Sequence, residues 1–226
     1  SLALPAFGAI RQRSIFAYPL SNMAKNYDRD YYDRWYRDPQ HRVRTAQDLR
    51  RKVAMVVGIA EHVMQRRVRS ALDIGCGEGE WGVELGKLRP AIRYLGIDSS
   101  EYAVGRFGET RNLRLGSLGE VDEIAGRRSW DLVICSDVLH YVDNDEIEEL
   151  LPVLALLTEG VAFIDVMTVA DQPTGDTDGF RLREGSWYRS RFERAGLVAV
   201  GMQCYVGPAM SGAVLELEKW KMENGK

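Results

Sequence analysis

Ala71-Leu72-Asp73-Ile74-Gly75-Cys76-Gly77-Glu78-Gly79-Glu80-Trp81 decides the fold, because an apolar run holding one carboxylate breaks at once into three glycines spaced two apart. Glycine has no Cβ and reaches positive φ without strain. Gly75, Gly77 and Gly79 therefore predict a tight strand-to-helix turn whose amides stay open to a ligand. That turn alone fits two kinds of cofactor. Downstream, Tyr94-Leu95-Gly96-Ile97-Asp98 sets a second carboxylate at the end of a second apolar run, and Trp130 to Tyr141 supplies a third.

Working outward, apolar runs at 112–116 and 160–167 join those at 70–74, 93–97 and 130–136, separated by stretches long enough for crossover helices. The alternation predicts a parallel sheet covered on both faces. Leu49, Val53, Val56, Ala60, Val63 and Met64 recur at helical spacing behind Thr45 and Asp48, which predicts an N-capped helix over about residues 46–66. Asn144 to Leu157 predicts a crossover helix that is acidic in its first turns, with Pro152 as a place for a kink. Leu197–Val206 and Gly212–Trp220 read as two strands, and the link between them, Gly207 to Ser211, is short enough only for an antiparallel hairpin. The expected fold is α/β: a seven-stranded, mostly parallel Rossmann-like sheet with helices on both faces and an antiparallel C-terminal hairpin.

At 226 residues the chain can bury a full core as one domain. A charged fraction of 28% and a net charge of −3 announce no general phosphate-binding surface, so nucleic acid is not an expected partner. The locally basic stretches Arg42–Arg51 and Arg66–Arg69 read as solvated helix faces. Cys76, Cys135 and Cys204 are odd in number and far apart, which suits a reducing cytoplasm and offers neither a disulfide framework nor a zinc site. The expectation is a cytoplasmic protein without a metal. No apolar run approaches bilayer length, so no membrane association is expected. Met23 is a candidate natural start, with Ser1 to Asn22 as a leader.

Asp73, the three glycines, Asp98 and the strand end Ser136-Asp137-Val138-Leu139-His140-Tyr141 together resemble the class I S-adenosylmethionine-dependent methyltransferases, over about residues 70–167. The resemblance implies seven strands with one reversed, S-adenosylmethionine as cofactor, and methyl transfer to a small-molecule acceptor. It divides the chain into an N-terminal extension and lid, residues 1–45, and a methyltransferase domain, 46–226. In that reading Asp73 attracts the ligand's ammonium and the amides of Gly75 to Gly79 face its methionine portion. Asp98, beside Ser99, accepts hydrogen bonds from both ribose hydroxyls, a role that suits an acceptor-only carboxylate. Where the family commonly places an acidic residue near the adenine, this chain has Ser117 and Leu118. Ser136 borders the transferable methyl group, and Arg42 or Arg44 pairs with the ligand's carboxylate. Methyl transfer is an in-line displacement, so a base is needed only where the acceptor must lose a proton. His140 is the candidate catalytic residue by type, against a reading as a hydrogen-bonded histidine under the lid. Asp137, Tyr141, Tyr32 and Trp35 are candidates to contact the acceptor, Asp137 alternatively capping the next turn.

The stretch from Arg37 to Thr45 looks faintly like the nodulation-type N-methyltransferases, and the motifs of base-modifying methyltransferases are absent. An amine- or hydroxyl-bearing metabolite is the favoured acceptor, while the accepting atom (N, O, C or S) and the oligomeric state stay open. Two rival functions remain. Gly77 to Gly82 satisfies G-x-G-x-x-G, so an NAD(P)-dependent Rossmann oxidoreductase must be weighed, although the glycine expected directly after the strand is Gly75 and no Tyr-x-x-x-Lys exists. A non-catalytic S-adenosylmethionine-binding module is the other. Two segments stand outside the sheet pattern. Asn26 to Asp38, crowded with Tyr27, Tyr31, Tyr32, Trp35 and Tyr36, reads as a lid over the cleft or as a helix packing its aromatics on the sheet. Residues 168–186 form a connection long enough to expect a purpose.

Overall fold

The computed structural model describes residues 25–126, 128–173 and 175–214. A short helix α1 (Arg29–Tyr32) runs into a wider turn (Asp33–Arg37) ahead of the long helix α2 (Ala46–Met64). Strands and helices then alternate: β1 (Ser70–Ile74), α3 (Glu80–Leu88), β2 (Arg93–Asp98), α4 (Glu101–Arg111), β3 (Leu113–Leu115), α5 (Val121–Ala125), β4 (Trp130–Ser136), α6 (Asn144–Leu157) and β5 (Thr158–Asp165). The chain closes with α7 (Gly185–Arg194), β6 (Val198–Gly201) and β7 (Cys204–Val206). The seven strands lie in the order β3-β2-β1-β4-β5-β7-β6. Strands β1 to β5 are parallel and β7 runs against both of its neighbours. Strand order reverses between β1 and β4, which opens a crevice at their carboxyl ends.

Burial explains the arrangement. Every residue of β1 is buried, as a parallel strand covered on both faces requires. Leu72, Ile74, Val133 and Cys135 pack toward Ile147, Leu150 and Leu154 of α6 on one face. Leu132, Ile134 and Phe163 pack toward Val53, Val56 and Ala60 of α2 on the other. Helix α2 starts at a capping box: Asp48 N donates to Thr45 Oγ1 at 3.2 Å and Thr45 N to Asp48 Oδ2 at 3.1 Å. Helix α6 passes through Pro152 and ends directly in β5, where Thr158 Oγ1 donates to the Leu154 carbonyl at 2.8 Å.

The C-terminal hairpin is built from other residues than the sequence suggests. Both of its strands come from within Leu197–Val206, as β6 and β7, while Pro208–Val214 forms a 3-10 helix. The chain turns at Met202 and Gln203, whose φ values are 53° and 61°. Gly201, with φ of 96°, stands directly before the turn, but neither central residue is Gly or Asn, so an apolar stretch holding two short strands reads as one. The expected second strand beyond Val214, and the expected leader Ser1–Asn22, lie outside the described residues.

Candidate active site

The Gly-rich turn leaves β1 with φ of 71° at Gly75 and 54° at Gly77. Gly75 N donates to the Ile97 carbonyl at 2.8 Å, and a Cβ at Gly75 would run into the Val138 side chain. At Gly77 a Cβ would come 3.5 Å from the Tyr32 hydroxyl. Asp98 braces the turn from β2: its Oδ2 accepts from Gly77 N at 2.6 Å and its Oδ1 from Ser100 N at 2.8 Å. Each oxygen keeps further acceptor capacity. Burial pushes the Asp98 carboxyl upward, and the amides of Ser100 and Gly77 pull it back. Asp73, 1% exposed, accepts from the Tyr94 hydroxyl at 2.7 Å. Its burial outweighs that bond and the nearby Arg44 charge, raising its pKa to about 7. A cation arriving within ~4–6 Å would favour the ionised form.

These groups face a cavity of about 400 Å³ at the carboxyl ends of β1, β2 and β4. Asp73, Gly75, Gly77, Asp98, Ser99, Ser117, Leu118, Ser136, Arg44, Asp137, Tyr141 and Tyr32 all line it, so most residues expected at the site converge there. Asp137 carries a φ of 62°, uncommon for a residue with a side chain, and its carboxyl is pushed upward by desolvation and by Asp165. Ser117 is less free than expected. Its N and Oγ both donate to Glu120 Oε2, at 2.9 and 2.7 Å, leaving only hydroxyl lone pairs toward the cavity.

Three expected site residues do not line the cavity. Gly79 caps α3, and a Cβ there would meet Leu113 Cδ2 at 2.8 Å, so its smallness serves helix packing. Trp35 packs its ring at 6.3 Å from His41 with the Arg34 guanidinium 4.8 Å from its centre. His140 is 1% exposed, its ring centre 4.7 Å from that of Tyr141 and 4.5 Å from that of Phe180. Its Nδ1 accepts from Met167 N at 3.4 Å, and burial lowers its pKa to about 4. The ring thus stands behind Tyr141 and not among the groups that line the cavity.

Tyr27, Tyr31 and Tyr36 of the candidate lid line the cavity, and so do Glu78, Glu80 and Trp81, to which the sequence assigns no role. The tyrosines come from the N-terminal segment, which roofs the cavity and also packs on the sheet end, with Tyr32 3% exposed. Ser100 Oγ donates to the Tyr27 carbonyl at 2.6 Å. Arg37 pairs with Glu78, and Arg44 Nη2 with Glu80 Oε2 at 2.8 Å. These two ion pairs fasten the roof to the turn. The long connection after β5 forms the far side, where Arg181 N donates to the His140 carbonyl at 2.7 Å and the Tyr141 hydroxyl to the Asp176 carbonyl at 2.9 Å.

Residues 72–161 match a family model described as a methyltransferase domain. A solved S-adenosylmethionine-dependent methyltransferase from Archaeoglobus fulgidus is 18% identical, with a TM-score of 0.52 over 68% of this chain and 70% of that one. DesVI of Streptomyces venezuelae is 14% identical, with a TM-score of 0.57 over 72% of this chain and 93% of that one. The plantazolicin methyltransferase BamL, solved with a triazolic desmethylPZN analogue and S-adenosylhomocysteine, is 15% identical with a TM-score of 0.54 over 68% of this chain and 66% of that one. At these identities the likenesses concern the fold. No curated protein sequence matches the chain. Domain match, strand order and reversed β7 agree: residues 72–161 hold a methyltransferase domain, set in a sheet with the fold of the solved S-adenosylmethionine-dependent methyltransferases. That domain match replaces the nicotinamide alternative. Among the described residues no helix is long and apolar enough to cross a membrane.

Proposed function

We propose that the cavity binds S-adenosylmethionine along the Gly-rich turn and a small amine- or hydroxyl-bearing acceptor beneath the tyrosine roof. The observation that carries the reading is the convergence on one cavity of the Gly75–Gly77 turn, a diol-suited carboxylate and a buried carboxylate. Asp98 would hold the ribose diol through its remaining lone pairs, with Ser99 at the rim. Asp73 would face the ammonium and Arg44 the carboxylate of the methionine portion. The space beside Gly77 would let the ligand pass against the backbone. Ser117 and Leu118 would border the adenine, Leu118 by packing and Ser117 by its hydroxyl lone pairs. When bound, the cofactor supplies an electrophilic methyl carbon on a sulfonium.

The protein's share is alignment and the exclusion of water. Ser136 and Asp137 end β4 at the centre of the cavity, with Tyr141 beside them and Tyr32 above the turn. Asp137 is the carboxylate available to accept an N–H or O–H of the acceptor and to hold its proton at Oδ. Residues 25–45 would act as a lid over the domain that follows, fastened by Arg37–Glu78 and Arg44–Glu80. An assay of S-adenosylhomocysteine production over a library of amines, alcohols and phenols tests the activity. Turnover of amines or alcohols would bear the reading out, and product formed only with protein or nucleic acid would remove it. S-adenosylhomocysteine should also slow hydrogen exchange in residues 31–44, and equal exchange with and without it would remove the lid.

A further inference from the structure

One side chain near the roof sits where a mobile surface lysine is not expected. The Lys25 ammonium lies 4.4 Å from the ring centre of Tyr141, 5.7 Å from that of Tyr31 and 5.8 Å from that of Tyr27. It donates to the Asp178 carbonyl at 2.8 Å and pairs with Asp176. The Lys25 side chain keeps 19% of its exposure and that of Asp176 only 11%. An ammonium is strongly hydrated, so removing it from water needs a built environment of π faces, carboxylate and carbonyl. Here all three are present around one nitrogen. The rings of Tyr27, Tyr31 and Tyr141 are at the same time walls of the cavity.

We propose that this cage is the seat for the acceptor's ammonium, and that Lys25 occupies it as an internal stand-in which an amine-bearing acceptor displaces. The inference rests on reading the cavity as the methyl-acceptor site and narrows the acceptor to molecules carrying a protonated or quaternary amine. A simple latch between the N-terminal segment and the long connection would explain the ion pair with Asp176. It would not explain why the carboxylate is paired through three rings that line the cavity. The parts are also cross-braced, since the Tyr141 hydroxyl donates to the Asp176 carbonyl and Phe180 stands 4.8 Å behind the Tyr141 ring.

The test uses the full chain with Lys25→Ala and measures calorimetric binding of tetramethylammonium against a neutral tert-butyl compound, 3,3-dimethylbutanol. S-adenosylhomocysteine binding is measured in parallel. Tetramethylammonium should bind Lys25→Ala at least about tenfold more tightly than wild type, and the neutral alcohol should show no such gain. Adding Asp176→Asn should cancel the gain. Should Lys25→Ala fail to fold, the wild-type chain serves: tetramethylammonium should speed acetylation of Lys25, read by mass spectrometry, and the neutral alcohol should not. Normal S-adenosylhomocysteine binding with no preference for the cation overturns the seat alone. Loss of S-adenosylhomocysteine binding in wild type overturns the reading of the cavity and the seat with it.

Discussion

The two walls of the cavity are made in opposite ways. The wall of β1 and β2 is local: Gly75, Gly77, the Asp98 carboxylate and their amide bonds lie within two adjacent strand ends, and backbone geometry does most of the work. The facing wall is assembled from distant parts. Tyr27, Tyr31 and Tyr36 come from the N-terminal segment and Tyr141 from beyond β4, braced by Asp176 of the long connection. A backbone-built wall suits a ligand that never changes, and a wall of side chains suits one that differs between enzymes. The first should therefore govern cofactor affinity and the second acceptor choice.

The sharpest way to break this contrast is Gly77→Val. A β-branched residue at a φ of 54° is strained by roughly 1–3 kcal/mol, and its branches would enter the space beside Tyr32. S-adenosylmethionine affinity should fall about 100-fold or more, with the fold retained by circular dichroism. Near-wild-type affinity would show that the turn does not cradle the cofactor. Next in size is Asp98→Ala, which removes both the proposed diol acceptor and the brace on Gly77. The loss should be about 1.5–3 kcal/mol, again read as cofactor dissociation constant. If the constant is unchanged, the ribose lies elsewhere.

A smaller and pH-dependent effect belongs to Asp73. Its folded pKa of about 7 lies above the unfolded value of 3.8, so between those values the folded state holds the extra proton. That proton's contribution to stability is full below the unfolded pKa and is lost as pH rises through about 7. Cofactor binding should run the other way, because an ammonium needs the ionised carboxylate. Affinity should fall toward tenfold per pH unit below about 7 and level off above it. A dissociation constant flat from pH 5.5 to 8 would mean that Asp73 does not face the ammonium.

The same contrast explains what the sequence disclosed. Asp73, Gly75, Gly77 and Asp98 were legible because their spacing within two strand ends is itself the geometry. The roof is half legible: the crowding of Tyr27 to Tyr36 signals function, but helical phase alone does not say which ring turns inward, so Trp35 is expected where Tyr31 and Tyr36 stand. Glu78 and Glu80 stayed hidden because their arginine partners, Arg37 and Arg44, lie some forty residues earlier in the chain. The hairpin was misplaced because Met202 and Gln203 adopt a turn conformation their side chains do not advertise.

His140 is where the two walls could still trade roles, and its replacement should have the smallest effect of all. The residue follows β4, at the place where a base would be expected, yet its ring lies behind Tyr141 against Phe180 rather than in the cavity. His140→Gln keeps a hydrogen-bonding side chain of similar reach and removes the titration. If the ring is wall, kcat should change by less than about fivefold, against the roughly 100- to 10,000-fold expected for removing a general base. The stability signature is separate. The folded pKa of about 4 lies below the ordinary 6.5, so the neutral ring's contribution is present above about 6.5 and is lost as pH falls through about 4. The melting temperature of His140→Gln should therefore decline less steeply over that window than that of wild type. A 100-fold fall in kcat together with loss of the acid limb of the rate profile would put His140 back into the chemistry, and would require the wall to open during turnover.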